Sequence, residues 1–131
     1  MEINTYTRKD IGALGEKVAE EYLKRHGFEF IDRNVVRKTG EIDLIMKKNN
    51  VLHFVEVKSV LCNEFPRTNV VNDRYDPSIN LHRFKIQIVV RTSEWYMANI
   101  RWEGESQVDG ALVWLHAQDR VGRVQYLPQI L

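Results

Sequence analysis

Gly40-Glu41-Ile42-Asp43-Leu44-Ile45, the dipeptide Asn49-Asn50, and Phe54-Val55-Glu56-Val57-Lys58 form the stretch on which the reading of this chain turns. The segments on either side of Asn49-Asn50 are too apolar for strands with one wet face. They read as strands buried on both faces. A carboxylate in such a strand is costly unless it is paired or bound to a metal. Asn tolerates positive φ, so Asn49-Asn50 suits a tight turn, and residues 41–47 and 51–60 read as an antiparallel hairpin.

A two-residue loop at Asn49-Asn50 pairs Lys48 with Val51. Counted back along both strands, it sets Asp43 across from Glu56 and Glu41 across from Lys58. Directly opposed residues have Cβ atoms ~5 Å apart, and like charges there repel. A hard divalent cation resolves that conflict, because Mg²⁺ prefers oxygen ligands and needs only one or two protein carboxylates. Lys58 lies two positions after Glu56 and leaves the same face of its strand. A lysine beside a metal and two acids can position a water or stabilise charge developing on a phosphate. The plain alternative is an ordinary Glu41–Lys58 ion pair, with Asp43 and Glu56 at a wet edge. A register slip of one residue would also separate the acids.

Upstream of the hairpin, residues 8–27 read as an amphipathic helix. Ile11, Leu14, Gly15, Val18, Ala19, Tyr22 and Leu23 recur with helical spacing, Thr7 with Asp10 resembles a capping box, and Gly27 is a stop signal. Glu16 sits at the rim of the apolar stripe, near Gly12 and Gly15. Each glycine inside a helix costs ~1 kcal/mol relative to Ala, so two of them suggest close packing on the sheet or close approach of a ligand. On the residues alone, the favoured reading of Glu16 is a solvated helix acid, like Glu20 and Glu21. Residues 28–35 read as a first strand, and Arg37-Lys38-Thr39-Gly40 as a basic turn.

Downstream, residues 61–78 read as a loop rich in Pro, Asn and Asp, long enough to suggest a function. Residues 79–99 alternate like a strand from Phe84 to Val90 but run on through Glu94-Trp95-Tyr96-Met97-Ala98, and are read as a helix. Residues 108–117 and 123–128 read as a closing hairpin around Asp119–Gly122. The order is α-β-β-β-α-β-β, a mixed sheet with helices packed on it.

The 131 residues suit one domain, 1–131. Nineteen Lys and Arg balance eighteen Asp and Glu for a net charge of +1, so any grip on a phosphate backbone comes from local clusters. Cys62 is the only cysteine, which excludes an intramolecular disulfide and a Cys-based zinc site. The four histidines are scattered without metal-ligand spacing. The N-terminus lacks the apolar core of a signal peptide, and no apolar run approaches the ~20 residues of a membrane span. A soluble cytoplasmic protein is the default expectation.

Gly12-x-x-Gly15-Glu16-x-x-Ala19, Gly40-Glu41-Ile42-Asp43-Leu44-Ile45 and Phe54-Val55-Glu56-Val57-Lys58, in that order, resemble the YraN-like uncharacterised protein family. That family in turn resembles the archaeal Holliday-junction resolvases and belongs with the PD-(D/E)xK restriction-endonuclease-like nucleases. The match is close over 8–60 and loose elsewhere. It implies an α/β, restriction-endonuclease-like mixed β-sheet flanked by helices. It implies that Asp43, Glu56 and the backbone carbonyl of Val57 are ligands of a catalytic Mg²⁺ or Mn²⁺. Lys58 would orient the attacking water and stabilise the pentacovalent phosphate, Glu16 would reach the site from the helix, and Glu41 would be a neighbour of Lys58. Two features depart from the family. Ser59-Val60 follow Lys58 where a small hydroxyl residue and then Arg are usual, and 61–78 lacks the usual Phe-Gly pattern. Lys85 and Asp109 match a lysine opening the second helix and an acid in the next strand; neither is read as catalytic.

Arg33, Arg37, Lys38, Arg67, Arg74, Arg83, Lys85 and Arg91 flank the hairpin as candidate phosphate contacts, each with a solvated-surface reading beside it. Trp95, Tyr96 and Trp102 could stack on bases but fit core or interface roles better. The leading expectation is a metal-dependent endonuclease acting on DNA, with branched or junction DNA in view. The alternatives are a nucleic-acid-binding module on a nuclease fold, weak or inactive in catalysis, and a structural protein that dimerises through 79–102. Many junction nucleases act as dimers, so a homodimer fits both the nuclease and the structural readings.

Overall fold

Thr7 starts the first helix. Its side chain accepts from the Asp10 N–H while the Asp10 carboxylate accepts from the Thr7 N–H, the reciprocal capping box expected from the sequence. The computed structural model describes residues 7–62, 83–116 and 122–130, with 83–86 as backbone only. The elements are α1 (Arg8–Arg25), β1 (Glu29–Arg37), β2 (Gly40–Lys48), β3 (Val51–Cys62), α2 (Arg83–Ile100), β4 (Glu105–His116) and β5 (Gly122–Leu127). The expected order holds. Leu61 and Cys62 extend β3 rather than beginning a loop, and the rest of the expected 61–78 loop lies outside the described residues.

The strands form one five-stranded sheet in the order β1-β2-β3-β4-β5. Every neighbour pairs antiparallel except β3 and β4, which run parallel and are connected through the segment that contains α2. A parallel pair needs a long crossover, and here it carries a helix. Asn49 and Asn50 both take positive φ, 51° and 63°, as the two-residue turn of the β2–β3 hairpin requires. One helix covers each face. α1 lies over Leu44, Met46, Val55, Ala111, Val113 and Leu115; α2 lies over Ile42, Ile45, Leu52, Phe54 and Val108. A mixed sheet flanked by helices in this order is the restriction-endonuclease-like arrangement that the sequence implied.

The sheet is forked. The β2–β3 ladder runs from Lys48↔Val51 to Leu44↔Val55 and goes no further. Beyond it β2 stays with β1 as far as the Arg37↔Gly40 pair, while β3 stays with β4 as far as Cys62↔His116. The tip of the β1–β2 hairpin is tied instead to α2. Thr39 and Thr92 hydroxyls lie 2.8 Å apart, and a Cβ on Gly40, whose φ is +152°, would run into the Ile88 side chain.

Gly15 is the contact that seats α1. A Cβ there would overlap Ser59 Oγ and lie 2.8 Å from Ser59 Cβ, whereas one on Gly12 would meet nothing within 4 Å. The close-packing signal read from both glycines therefore belongs to Gly15 alone. Gly15→Ala should lower the denaturation midpoint: overpacking costs about 1–3 kcal/mol, and a helix-propensity gain of ~1 kcal/mol offsets only part of that. In a Ser59→Gly background the same substitution should cost nothing, and a double-mutant cycle measures the difference. Equal losses in both backgrounds would mean that this contact is not what seats the helix.

Candidate active site

The fork is where the candidate residues gather. Val55 and Val57 point toward α1, and Leu52 and Phe54 toward α2. Alternation therefore puts Glu56 and Lys58 on the α2 face of β3, and Ser59, back on the other face, meets Gly15. In the hydrogen-bonded register, the next partner of Val57 would be Ile42. Because β2 has already left, the Asp43 carboxylate stands in: the Val57 N–H donates to Asp43 Oδ2 at 2.8 Å. In a strand the N–H and C=O of one residue point to the same side. The Val57 carbonyl thus opens toward the same gap.

The Asp43–Glu56 and Glu41–Lys58 pairs derived from the turn lie beyond the last rung of the ladder, so neither forms as a cross-strand pair. The register itself is the expected one. What the turn geometry could not convey is that the strands separate one residue before the acids would meet.

Glu16 reaches Asp43 from α1. Burial pushes its carboxyl up to about 7, the negative charges of Asp43 and Glu41 push the same way, the Asn34 side-chain amide donates to it and pulls it back, and a hydrogen bond with Asp43 raises it again. Glu16, Asp43, Glu41 and Asn34 thus share one locality, bordered by a small cleft of about 110 Å³ between Ala13, Glu16, Lys17, Arg33 and Asn34. Glu56 is buried, 4% exposed, and its Oε1 takes no hydrogen bond among the described residues, although the residue has other interactions. Lys58 is exposed. Among the described residues, no three His, Cys, Asp or Glu side chains are grouped closely enough to hold a metal. A larger cavity of about 260 Å³ lies toward α2, lined by Phe54, Val90, Met97 and Val108, away from this locality.

The Glu16 shift has a stability consequence. Its carboxyl is raised from 4.5 to about 7, so the folded state holds the proton more tightly. The resulting stabilisation is complete below about 4.5 and is lost as pH rises through about 7. Glu16→Gln keeps a hydrogen-bonding group without the titration. Denaturant midpoints measured against pH should therefore fall across this window in the natural chain and fall less in the variant. Parallel curves would show that Glu16 is not crowded by acids.

Several residues play parts that the sequence reading did not assign. Glu20, read as solvated, is buried between Lys24 and Arg33, each at 2.8 Å. That pairing, with the Arg33 guanidinium 4.6 Å from the Phe30 ring centroid, engages one candidate phosphate contact. A second, Arg37, lies 4.0 Å from the Trp95 ring centroid. Lys38 and Arg91 are exposed, while Arg67, Arg74 and the side chains of Arg83 and Lys85 lie outside the described residues. Tyr96 is buried in the α2-side core, with Trp95 and Trp102 packed against it, as expected for core aromatics.

Asp109 is fully buried. Its Oδ2 accepts from His53 Nδ1 at 2.6 Å and from the Tyr126 hydroxyl; its Oδ1 accepts from Gln107 Nε2 at 2.7 Å and the Gln129 N–H at 2.9 Å. Burial pushes its carboxyl up, but these four hydrogen bonds prevail and hold it below the usual carboxylate range. The signal was available, since an acid within Val108-Asp109-Gly110-Ala111-Leu112-Val113 is the same anomaly as Asp43 and Glu56.

A sequence profile described as "Uncharacterised protein family UPF0102" matches residues 15–120. A UPF0102 protein of Campylobacter jejuni subsp. doylei is 38% identical over 98 residues, covering 75% of this chain and 78% of the relative. UPF0102 proteins of Campylobacter fetus subsp. fetus and Campylobacter hominis are 36% and 33% identical with the same coverage of both chains. No helix among the described residues is long and apolar enough to cross a membrane.

Proposed function

We propose that this chain, which belongs to the uncharacterised protein family UPF0102, is a metal-dependent endonuclease that hydrolyses phosphodiester bonds in DNA, with branched or junction DNA as its substrate class. One observation carries the reading. Glu16 from α1 and Asp43 from β2 crowd each other where β2 leaves β3, at the backbone of Val57, with Glu56 and Lys58 as its chain neighbours. A fold spends stability on such an arrangement, and a strongly perturbed acid beside other acids at a cleft is a functional-site candidate.

Carboxylates and an inward backbone carbonyl are hard oxygen donors, and Mg²⁺ or Mn²⁺ is the cation class they suit. Asp43 and the Val57 carbonyl would hold the ion with Glu16 beside them, and Glu56, which leaves the opposite face of β3, would complete the set across the gap. When bound, it would supply Lewis-acid polarisation of the phosphate and a water of lowered pKa. The Val57 N–H keeps Asp43 at the gap. Lys58 would orient the attacking water, and Glu16, reaching in from α1, would help through a water or the ion. Lys58, exposed and free to reach a phosphate, offsets the negative charge that builds up as the new P–O bond forms and the old one breaks. The test is cleavage of four-way-junction and linear duplex DNA by the purified chain with Mg²⁺ or Mn²⁺. Folded protein that cuts neither would refute the reading.

A binding module without catalysis draws support from one fact, the lack of a grouped three-residue metal site among the described residues. Calorimetric titration with Mn²⁺ discriminates. No metal binding alongside tight DNA binding would select the module.

A further inference from the structure

Besides the bulge in β1 between Phe30 and Asp32, alternation of faces fails at one further place, and there in β1 and β2 together. Phe30 pairs with Met46 and Arg33 with Leu44, and these lie toward α1, where Arg33 binds Glu20. Asp32 pairs with Ile45 on the α2 side and accepts from the Tyr96 hydroxyl of that helix. Simple alternation from the Arg33↔Leu44 pair would return Val35 and Ile42 to the α1 side. Both pack instead in the α2-side cluster. No residue is inserted here, because Arg33↔Leu44 is followed by Val35↔Ile42. The reversal is therefore absorbed at the two positions between them, Asn34 and Asp43, which the ladder leaves unpaired with each other. Asn34 has φ of 49°, left-handed in the middle of a strand. A β-branched residue avoids that conformation strongly, while Asn tolerates it. The Asn34 side chain donates to Glu16, so backbone and side chain act on the two crowded acids at once.

We infer that Asn34 is the positioning residue of this site: its left-handed backbone turns Asp43 out of alternation toward α1, and its amide holds Glu16 against it. The inference rests on the nuclease reading for its chemistry, and on strand geometry alone for its structural part. Three variants separate the two roles. Asn34→Gly keeps the backbone conformation and removes the amide. Asn34→Asp keeps tolerance of that conformation and replaces a donor with an acceptor. Asn34→Val opposes the conformation.

The structural readout is hydrogen exchange of the Val57 amide, which Asp43 protects. Protection should persist in the Gly and Asp variants, and exchange should quicken by about tenfold or more in the Val variant. The functional readout is DNA cleavage, where kcat should fall by roughly tenfold in Asn34→Gly and Asn34→Asp with KM for DNA unchanged. Val57 protection within twofold of the natural chain in a folded Asn34→Val would overturn the inference. Should that variant not fold, loss of protection or full turnover in Asn34→Gly would overturn it instead. A natural chain that cuts no DNA, with the protection pattern as stated, would refute the nuclease reading and support the positioning geometry.

Discussion

Asp43→Asn should lower metal-dependent DNA cleavage by roughly a hundred- to a thousandfold while leaving the fold in place. The fold survives because an Asn side-chain carbonyl still accepts the Val57 N–H that Asp43 Oδ2 now takes at 2.8 Å. What is lost is the negative charge at the fork, and with it the attraction for a divalent cation and the crowding of Glu16. Lys58→Ala should produce a loss of similar size, with little change in denaturation midpoint, because Lys58 is exposed. The measurement is single-turnover cleavage of junction DNA with Mn²⁺, beside circular dichroism of each variant. Activity in either variant equal to that of the natural chain would remove that residue from the site.

Asp109→Ala should destabilise the fold by about 3–5 kcal/mol, the cost of removing one partner from a buried charged cluster. The loss leaves the His53 ring, the Tyr126 hydroxyl and the Gln129 N–H facing a cavity instead of a carboxylate. It also frees the C-terminal stretch that crosses β4, since Gln129 is held by Asp109 and the Ile130 N–H by the Val108 carbonyl. The Asp109 carboxyl is held below its ordinary value, so its stabilisation is present above about pH 3.8 and is lost as pH falls through the lower folded-state value. Acid unfolding of Asp109→Ala should accordingly lack this slope. A loss under about 1 kcal/mol in urea titration would mean that water or relaxation satisfies the cluster.

The order of elements was legible in the sequence because each signal was local: the Thr7–Asp10 capping box, the Asn49-Asn50 turn, and the apolar runs on either side of it. The β2–β3 register followed from the same turn. The end of that ladder was not legible. It depends on β2 preferring β1 and α2 to β3 beyond Leu44, a choice made by Gly40 under Ile88 and by Thr39 with Thr92, far apart in the chain. Glu16 was visible as an acid at the rim of a stripe, yet its crowding by Asp43 and Glu41 arises only when α1 is seated by Gly15 on Ser59. Asn34 was missed for a different reason. A positive φ in mid-strand has no signature in alternation except a break, and the charged and polar run Asp32-Arg33-Asn34 hides that break.

The fork has a mechanical meaning. Past Leu44, the β1–β2 hairpin is a cantilever that shares no rung with β3, and its far end is fastened to α2 through Thr92 and Ile88. Sheet hydrogen bonds therefore do not set the aperture between the two arms. The seat of α2 and the Val57–Asp43 hydrogen bond across the gap do, and a displacement of α2 along its axis would load that bond directly.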